Sequence, residues 1–163
     1  MDVMMLIGSD SDYEIAKDAI EILKRFEVPF ALEITSAHRS PERTMRLVRQ
    51  AEAEGAEVFI AVAGKAAHLA GVVASHTVRP VIGVPVESGG LGGLDALLST
   101  VQMPKGIPVA TMGTGRTGAA NAALLAIEIL GLKKAGLRKK LADHKKKMAA
   151  QVEADSEKLK KSL

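Results

Sequence analysis

The stretch EVFIAVAGKAAH, residues 57–68, decides the fold, because it joins an unbroken apolar run to a loop of small and polar residues. Val58–Val62 shows no alternation between apolar and polar positions, which is typical of a strand that helices cover on both faces. Strands of this kind belong to parallel sheets, whose crossover connections are usually helices. The stretch therefore predicts an interior strand of an α/β sheet, followed at its carboxyl end by the loop 64–68.

The same arrangement recurs on both sides of this stretch. Short apolar runs at 3–7, 30–34, 81–84 and 107–111 predict four more strands. A long apolar helix is expected over 119–130, after the last of these strands. Five strands alternating with helices in 163 residues predict a three-layer α/β fold built on a doubly wound, five-stranded parallel sheet. Right-handed crossovers favour the flavodoxin-like strand order 2-1-3-4-5.

Residues 132–163 follow this domain, 1–131, and predict an extra C-terminal helix. The last 33 residues, 131–163, hold half of the 22 basic residues but only four of the 19 acidic ones. Apolar residues repeat along the helix at spacings of four and seven, a narrow seam that needs a partner surface. The domain itself could supply that surface, but we expect a neighbouring subunit, since a completed domain has little core left to cover. The seam consists of Leu137, Leu141, Met148, Val152 and Leu159.

Composition excludes several classes of function. The chain has no Cys, which excludes disulfides, thiolate catalysis and cysteine metal sites. The apolar run near the N-terminus has five residues, too few for a signal peptide or a membrane span, so we expect a cytoplasmic protein with no membrane partner. The basic helix could bind nucleic acid, but a solvated helix face is the commoner explanation, and we expect no nucleic-acid partner.

The loops after the strands hold the candidate functional residues, because ligands of open parallel sheets bind beyond the carboxyl ends of the strands. The first loop, GSDSD at 8–12, precedes a helix, and its backbone N–H groups and the hydroxyls of Ser9 and Ser11 suit a phosphate. Plain helix capping by Ser11 or Asp12 is the alternative. Since carboxylates repel phosphate, we expect the side chain of Asp10 or of Asp12 to face a neutral donor such as a ribose hydroxyl.

The second loop begins Ser36-Ala37-His38-Arg39 and places an imidazole beside a guanidinium. A histidine can donate or accept a proton near neutral pH, and an arginine binds anions through a fixed fork of donors. Because this loop follows a strand, we expect His38 to be catalytic and its neighbours to line the binding site.

The third loop, 64–68, is built from small residues and ends in a second histidine. Gly64, Ala66 and Ala67 permit a ligand to approach the backbone closely. His68 either lines the same site or faces solvent at the start of the next helix. Two histidines without a third ligand at suitable spacing predict no metal site. The glycine-rich fourth loop, 88–93, is either a lid or a simple turn.

Six motifs, in order along the chain, resemble the PurE family of N5-carboxyaminoimidazole ribonucleotide mutases. The motifs are GSDSD (8–12), SAHRSPE (36–42), AGKAAHLAG (63–71), GVPVESGGLGGLDALLS (83–99), VQMPKGIPVAT (101–111) and GAANAALLA (118–126). The third loop departs from the family pattern at Lys65, where Gly is usual, and at Ala70, where Pro is usual.

The resemblance implies a flavodoxin-like subunit of a homo-octamer, with active sites near the subunit interfaces. It implies an isomerase that interconverts N5-carboxyaminoimidazole ribonucleotide and 4-carboxy-5-aminoimidazole ribonucleotide by loss and recapture of CO2, without metal or organic cofactor. His38 would be the general acid and base, and His68 would line the site. Ser9, Asp12 and Arg39 would bind the nucleotide.

Three alternative functions have distinct sequence requirements. A sister group of the family carboxylates aminoimidazole ribonucleotide directly with CO2, but typically carries Lys in place of Arg39 and lacks the AAHL pattern around His68. An FMN-binding flavodoxin generally needs aromatic rings beside the flavin, whereas Tyr13 is the one tyrosine and there is no Trp. A receiver-type signalling domain needs an Asp after the third strand and a Lys after the fifth, where this chain has Gly64 and Met112.

Overall fold

The computed structural model describes residues 1–162 as a three-layer α/β fold with five parallel strands. The strands are Val3–Ile7 (β1), Phe30–Ile34 (β2), Val58–Gly64 (β3), Val81–Val86 (β4) and Ala110–Thr111 (β5). The helices are Tyr13–Arg25 (α1), Pro41–Ala53 (α2), Leu69–Ser75 (α3), Leu94–Val101 (α4), Gly115–Gly131 (α5) and Ala135–Lys160 (α6), and a short 3-10 helix at Asp10–Asp12 precedes α1. No helix within residues 1–162 combines the length and the apolar content needed to cross a membrane.

The strand order is β2-β1-β3-β4-β5, which confirms the predicted flavodoxin-like topology. β1 lies between β2 and β3, so that Val3 is in register with Phe30 on one side and with Val58 on the other. All strand pairs are parallel, and the loops after β1, β2 and β3 therefore emerge side by side at one edge of the sheet.

The side chains of β3 explain its unbroken apolar sequence. Val58, Ile60 and Val62 belong to the hydrophobic cluster beneath α1, α5 and α6. Phe59 and Ala61 belong to a second cluster, which includes residues of α2, α3 and α4. Because each face of the sheet packs against helices, neither face of β3 can be polar.

The predicted fifth strand is too long. We expected it over 107–111, but only Ala110–Thr111 pair with β4. Pro108 has no N–H group to donate to a strand ladder, so the pairing begins only after it. α5, in contrast, is longer than predicted. It begins at Gly115, about one turn before the predicted start at 119.

α6 packs on its own domain at its beginning and has no cover further along. Leu137 and Leu141 are each 9% exposed and lie in the cluster beneath α1 and α5. Met148, Val152 and Leu159 are 46%, 69% and 62% exposed. The first two residues of the predicted seam thus cover the core of their own subunit, whereas we expected the whole seam to contact a neighbouring subunit. The last three residues remain available for another surface.

Several lysines of the C-terminal segment pair with acidic residues of the domain, which accounts for part of its basic charge. The pairs are Lys133 with Glu57 at 2.9 Å, Lys134 with Asp2 at 2.6 Å, Lys145 with Glu128 at 3.2 Å, and Lys140 with Glu27. Pairs this exposed each contribute little stability. They do give these four lysines partners within the chain, and the expectation of no nucleic-acid partner stays a prediction.

A close approach at the start of α5 yields a test of the fold. A Cβ at Gly118 would lie 1.6 Å from the carbonyl oxygen of Gly113, so we expect Gly118→Ala to force the entering chain aside. The free energy of unfolding should fall by about 2–3 kcal/mol, as is usual for overpacked sites. Gly136→Ala is the matched control, because nothing lies within 4 Å of its Cβ position. Equal unfolding midpoints in urea for the two variants would contradict this packing.

Candidate active site

A cleft of about 570 Å³ lies where the loops after β1, β2 and β3 meet. All but one of the predicted site residues line it: Ser9, Ser11, Asp12, Ser36, Ala37, His38, Arg39, Gly64, Ala66 and His68. Ala67 does not, because its side chain is 2% exposed and packs in the core beneath the third loop. Ala67 was expected to line the site with Gly64 and Ala66, and its side chain does not.

Hydrogen bonds of the first loop turn one carboxylate inward. Ser9 Oγ donates to Asp12 Oδ2 at 3.1 Å and shares a 2.7 Å hydrogen bond with Ser11 Oγ. Asp12 is only 6% exposed, and this burial raises the pKa of its carboxyl above the ordinary value of 3.8, against the opposing effect of the Ser9 hydroxyl. Asp12 makes no capping hydrogen bond to α1, and the Ser11 hydroxyl bonds Ser9 instead of a helix end. Both serines line the cleft.

The second loop is held by a set of hydroxyl hydrogen bonds. Ser40 Oγ accepts from the backbone N–H of Ser36 at 3.0 Å, and Ser36 Oγ accepts from the backbone N–H of Arg39 at 3.1 Å. Beneath them, the hydroxyls of Thr35 and Thr44 share a buried hydrogen bond of 2.8 Å. Ser40 thus closes the loop on itself, and its side chain does not cap α2. The fixed turn presents His38 to the cleft.

Arg39 connects the first two loops. Its Nη2 lies 3.4 Å from the carbonyl oxygen of Gly8, and its Nε lies 3.4 Å from Ser36 Oγ. Both hydrogen bonds are long and therefore weak. The guanidinium is exposed, so an anion entering the cleft could replace these partners with a stronger, charge-assisted pair of hydrogen bonds.

The two histidines of the cleft are paired. His38 Nε2 lies 2.8 Å from His68 Nδ1, and the ring centroids are 4.8 Å apart with the ring planes at 70°. The residues follow β2 and β3, which are not neighbours, so the rings meet across the loop that follows β1. The loop pattern indicates His38 as a site residue, and the family resemblance adds His68, but neither predicts their contact, because 30 residues and an intervening strand separate them.

This contact restricts where protons can reside. A hydrogen bond between two ring nitrogens needs one N–H donor and one acceptor without a proton. The pair can gain one further proton on an outer nitrogen and keep the bond, whereas protons on both facing nitrogens would repel. The contact therefore orients the two rings and leaves Nδ1 as the nitrogen of His38 that lies outside it.

Gly64 lets the fourth loop approach the third. A Cβ on Gly64 would lie 2.3 Å from Ser88 Oγ and 3.0 Å from the carbonyl oxygen of Val86. Ser88 lines the cleft. The sequence did not single it out as a site residue, because the glycines around it predict only a flexible loop. Lys65 also lines the cleft, with a left-handed backbone at φ 55°.

The arrangement suits proton transfer to an anchored anionic ligand. Within residues 1–162, no three His, Cys, Asp or Glu side chains are grouped so that they could hold a metal ion. The cleft instead combines a hydrogen-bonded imidazole pair with hydroxyls and an exposed guanidinium. The latter groups bind phosphate in many proteins.

Comparisons with known proteins agree with this chemistry. Residues 2–151 match the family model described as AIR carboxylase. The N5-carboxyaminoimidazole ribonucleotide mutase of Pyrococcus horikoshii is 52% identical over 96% of this chain and 88% of its own length. The mutase of Escherichia coli K12 is 46% identical over 92% of this chain and 89% of its own. The crystal structure of Treponema denticola PurE has a TM-score of 0.88 and 30% identity, covering 96% of this chain and 97% of the other.

The buried carboxyl of Asp12 predicts a dependence of stability on pH. Because its pKa is raised in the folded state, the folded protein binds more protons than the unfolded chain just above pH 3.8, and the ionised form costs stability at neutral pH. Asp12→Asn should raise the free energy of unfolding at pH 7, and the gain should shrink as the pH falls towards 3.8. Asp143→Asn, at an exposed position of α6, is the control. Urea unfolding at several pH values measures both, and a gain that does not vary with pH would argue against the burial effect.

Proposed function

The chain belongs to the AIR carboxylase family, and from this premise we propose that it catalyses the reaction for which its mutase relatives are named. N5-carboxyaminoimidazole ribonucleotide is converted into 4-carboxy-5-aminoimidazole ribonucleotide, a step of purine biosynthesis. The observation that carries the proposal is the hydrogen-bonded pair of His38 and His68 in a cleft that also holds anion-binding groups.

The nucleotide is anchored by the first two loops. Its phosphate accepts hydrogen bonds from Arg39 and from the hydroxyl of Ser11, which turns from Ser9 to the ligand, near the amino end of α1, where the helix dipole favours negative charge. Asp12 is held to Ser9 through Oδ2, which leaves Oδ1 for a ribose hydroxyl. Anchoring of this kind fixes the imidazole ring against the catalytic group and lowers the entropic part of the barrier.

The reaction uses one imidazole twice. Protonated His38 donates its proton to the exocyclic nitrogen of the substrate as the bond from that nitrogen to the carboxylate carbon breaks. The bond's electron pair stays with nitrogen, and CO2 and aminoimidazole ribonucleotide are formed. C4 of the ring then attacks CO2, and neutral His38 removes the C4 proton, which restores both the aromatic ring and the acid.

His68 keeps the His38 ring in place between the two steps. Its Nδ1 accepts the Nε2–H of His38 in both protonation states, which leaves Nδ1 of His38 to give and take the proton, so the 2.8 Å contact persists through the cycle. We therefore assign His38 as the catalytic acid and base, and His68 as its partner in the cleft.

CO2 must stay in the cleft until C4 captures it, which requires that solvent be excluded. Ser88 brings the fourth loop to the rim of the cleft. Gly89 and Gly92 in that loop have φ values of 93° and 58°, which glycine adopts without strain. We propose that the fourth loop closes over the bound nucleotide.

The two other candidates are less well supported. Direct carboxylation with CO2 would use the same pocket, but the relatives at 52% and 46% identity are named as mutases. Aminoimidazole ribonucleotide with bicarbonate, compared with the N5-carboxylated nucleotide, separates these two activities by rate. A flavin site is disfavoured because no Phe, Tyr or Trp side chain of the described residues lines the cleft.

The catalytic assignment predicts that His38→Asn abolishes turnover and leaves nucleotide binding intact. Removing a general acid and base usually costs a factor of about 10²–10⁴ in rate, and here both steps depend on the same group. His76→Asn is the matched control, since His76 is exposed at the end of α3 and lies outside the cleft. Mutase rates and product affinity are measured for both variants. A His38→Asn enzyme with near-normal rate would refute the assignment.

We also propose that the chain assembles into a homo-octamer, with residues 132–163 reaching a neighbouring subunit. Support comes from apolar surface that the subunit leaves exposed, which is typical of interaction sites. One part is the end of the α6 seam, and the other is the outer face of α4, where Leu94, Leu98 and Val101 are 56%, 47% and 49% exposed. Because a phosphorylated nucleotide does not cross membranes freely, we place this enzyme in the cytoplasm.

The exposed end of the seam predicts a change in oligomer size. Adding two charges in the variant Met148→Glu/Val152→Glu should reduce the assembly to smaller species. The control Ala150→Glu/Ala154→Glu adds the same charge on the opposite side of the exposed helix and should leave the assembly unchanged. Light scattering at matched concentration reports the mass of each. Identical masses for both variants would contradict a role of the seam in assembly.

A further inference from the structure

Lys65 has an unusual backbone for its residue type. Its φ of 55° lies in the left-handed region, where the Cβ of an ordinary residue is crowded and glycine is not. One other non-glycine residue in the described chain has positive φ, Glu27 at 58°, and it follows α1, where this conformation commonly ends a helix. Lys65 is not at a helix end of that kind, since it follows β3. A strained backbone at a binding cleft suggests that the side chain has a function there.

The sheet order places Lys65 opposite Arg39. β1 is flanked by β2 and β3, so the first loop lies between the second loop, with Arg39, and the third loop, with Lys65. Both cations line the cleft and both are exposed. Lys65 takes part in none of the ion pairs of the described chain. Its ammonium is therefore available to a ligand in the cleft.

We propose that Lys65 binds the phosphate of the nucleotide and, with Arg39, forms a two-cation clamp across the first loop. This inference rests on the proposed function, because it assumes that the cleft takes a phosphorylated nucleotide. The ammonium acts as a mobile point charge on one side, and the guanidinium acts as a fixed fork on the other.

The substrate carries a second anion, its carboxylate, but catalysis argues against a contact between Lys65 and that group. The carboxylate loses its charge as it becomes CO2, so an ammonium bound to it would stabilise the ground state more than the transition state. The phosphate keeps its charge throughout the reaction. A cation bound to the phosphate strengthens the binding of substrate and transition state equally, which affects KM and leaves kcat unchanged.

Lys65→Met tests the clamp, because it removes the charge and retains the Cβ and most of the side-chain length. We expect the affinity for the product nucleotide, measured by calorimetry, to fall by about five- to tenfold, the range of a partly exposed ion pair with phosphate. The affinity for the corresponding nucleoside, which lacks the phosphate, should not change. The mutase kcat should also stay unchanged, while KM rises with the loss of affinity. The dependence of nucleotide affinity on salt concentration should become weaker.

Two further variants separate charge from backbone. Lys65→Gly also relieves the left-handed strain, so it should lose the same affinity while its Tm rises. Lys105→Met removes an exposed lysine outside the cleft and should change neither affinity. Equal losses for nucleotide and nucleoside in Lys65→Met would overturn the phosphate contact, and so would unchanged affinity for both. If the unaltered protein fails to bind the nucleotide at all, the proposed function itself fails, which these data distinguish from failure of the clamp.

Discussion

The parallel ladder that holds β1 between β2 and β3 is the constraint on which the site depends. The register that joins Val3 to both Phe30 and Val58 brings three strands to the same edge of the sheet. The loops that follow contribute hydroxyls, a guanidinium and two imidazoles to one cleft. Because both faces of the sheet are buried beneath helices, its carboxyl edge is where such polar groups can gather at the surface.

Several groups at this edge lower the stability of the fold but provide polar and charged side chains to the cleft. Asp12 keeps a carboxyl in a buried position where the ionised form is disfavoured, and Lys65 occupies a backbone conformation that suits glycine better. His38 and His68 are exposed and contact each other, so they contribute little to the core. Such conflicts between local preference and observed residue are typical of functional sites, and the well-packed sheet offsets them.

Much of the fold and most of the site residues follow from the sequence, because unbroken apolar runs identify buried parallel strands and the loops after them identify the site. The failures have physical causes. Pro108 cannot donate to the ladder and shortens β5, and the first seam residues of α6 cover their own core because the turn after Gly131 folds the helix back. The contact of His38 with His68 depends on ring geometry across an intervening strand, which spacing along the chain does not encode.

The location of His38 relative to a bound nucleotide tests the central claim most directly. In a crystal structure with the product nucleotide, we expect the phosphate at the first loop and a ring nitrogen of His38 within about 3.5 Å of C4, the distance needed for proton transfer to or from that atom. A His38 ring that points into solvent, away from the bound base, would contradict the account.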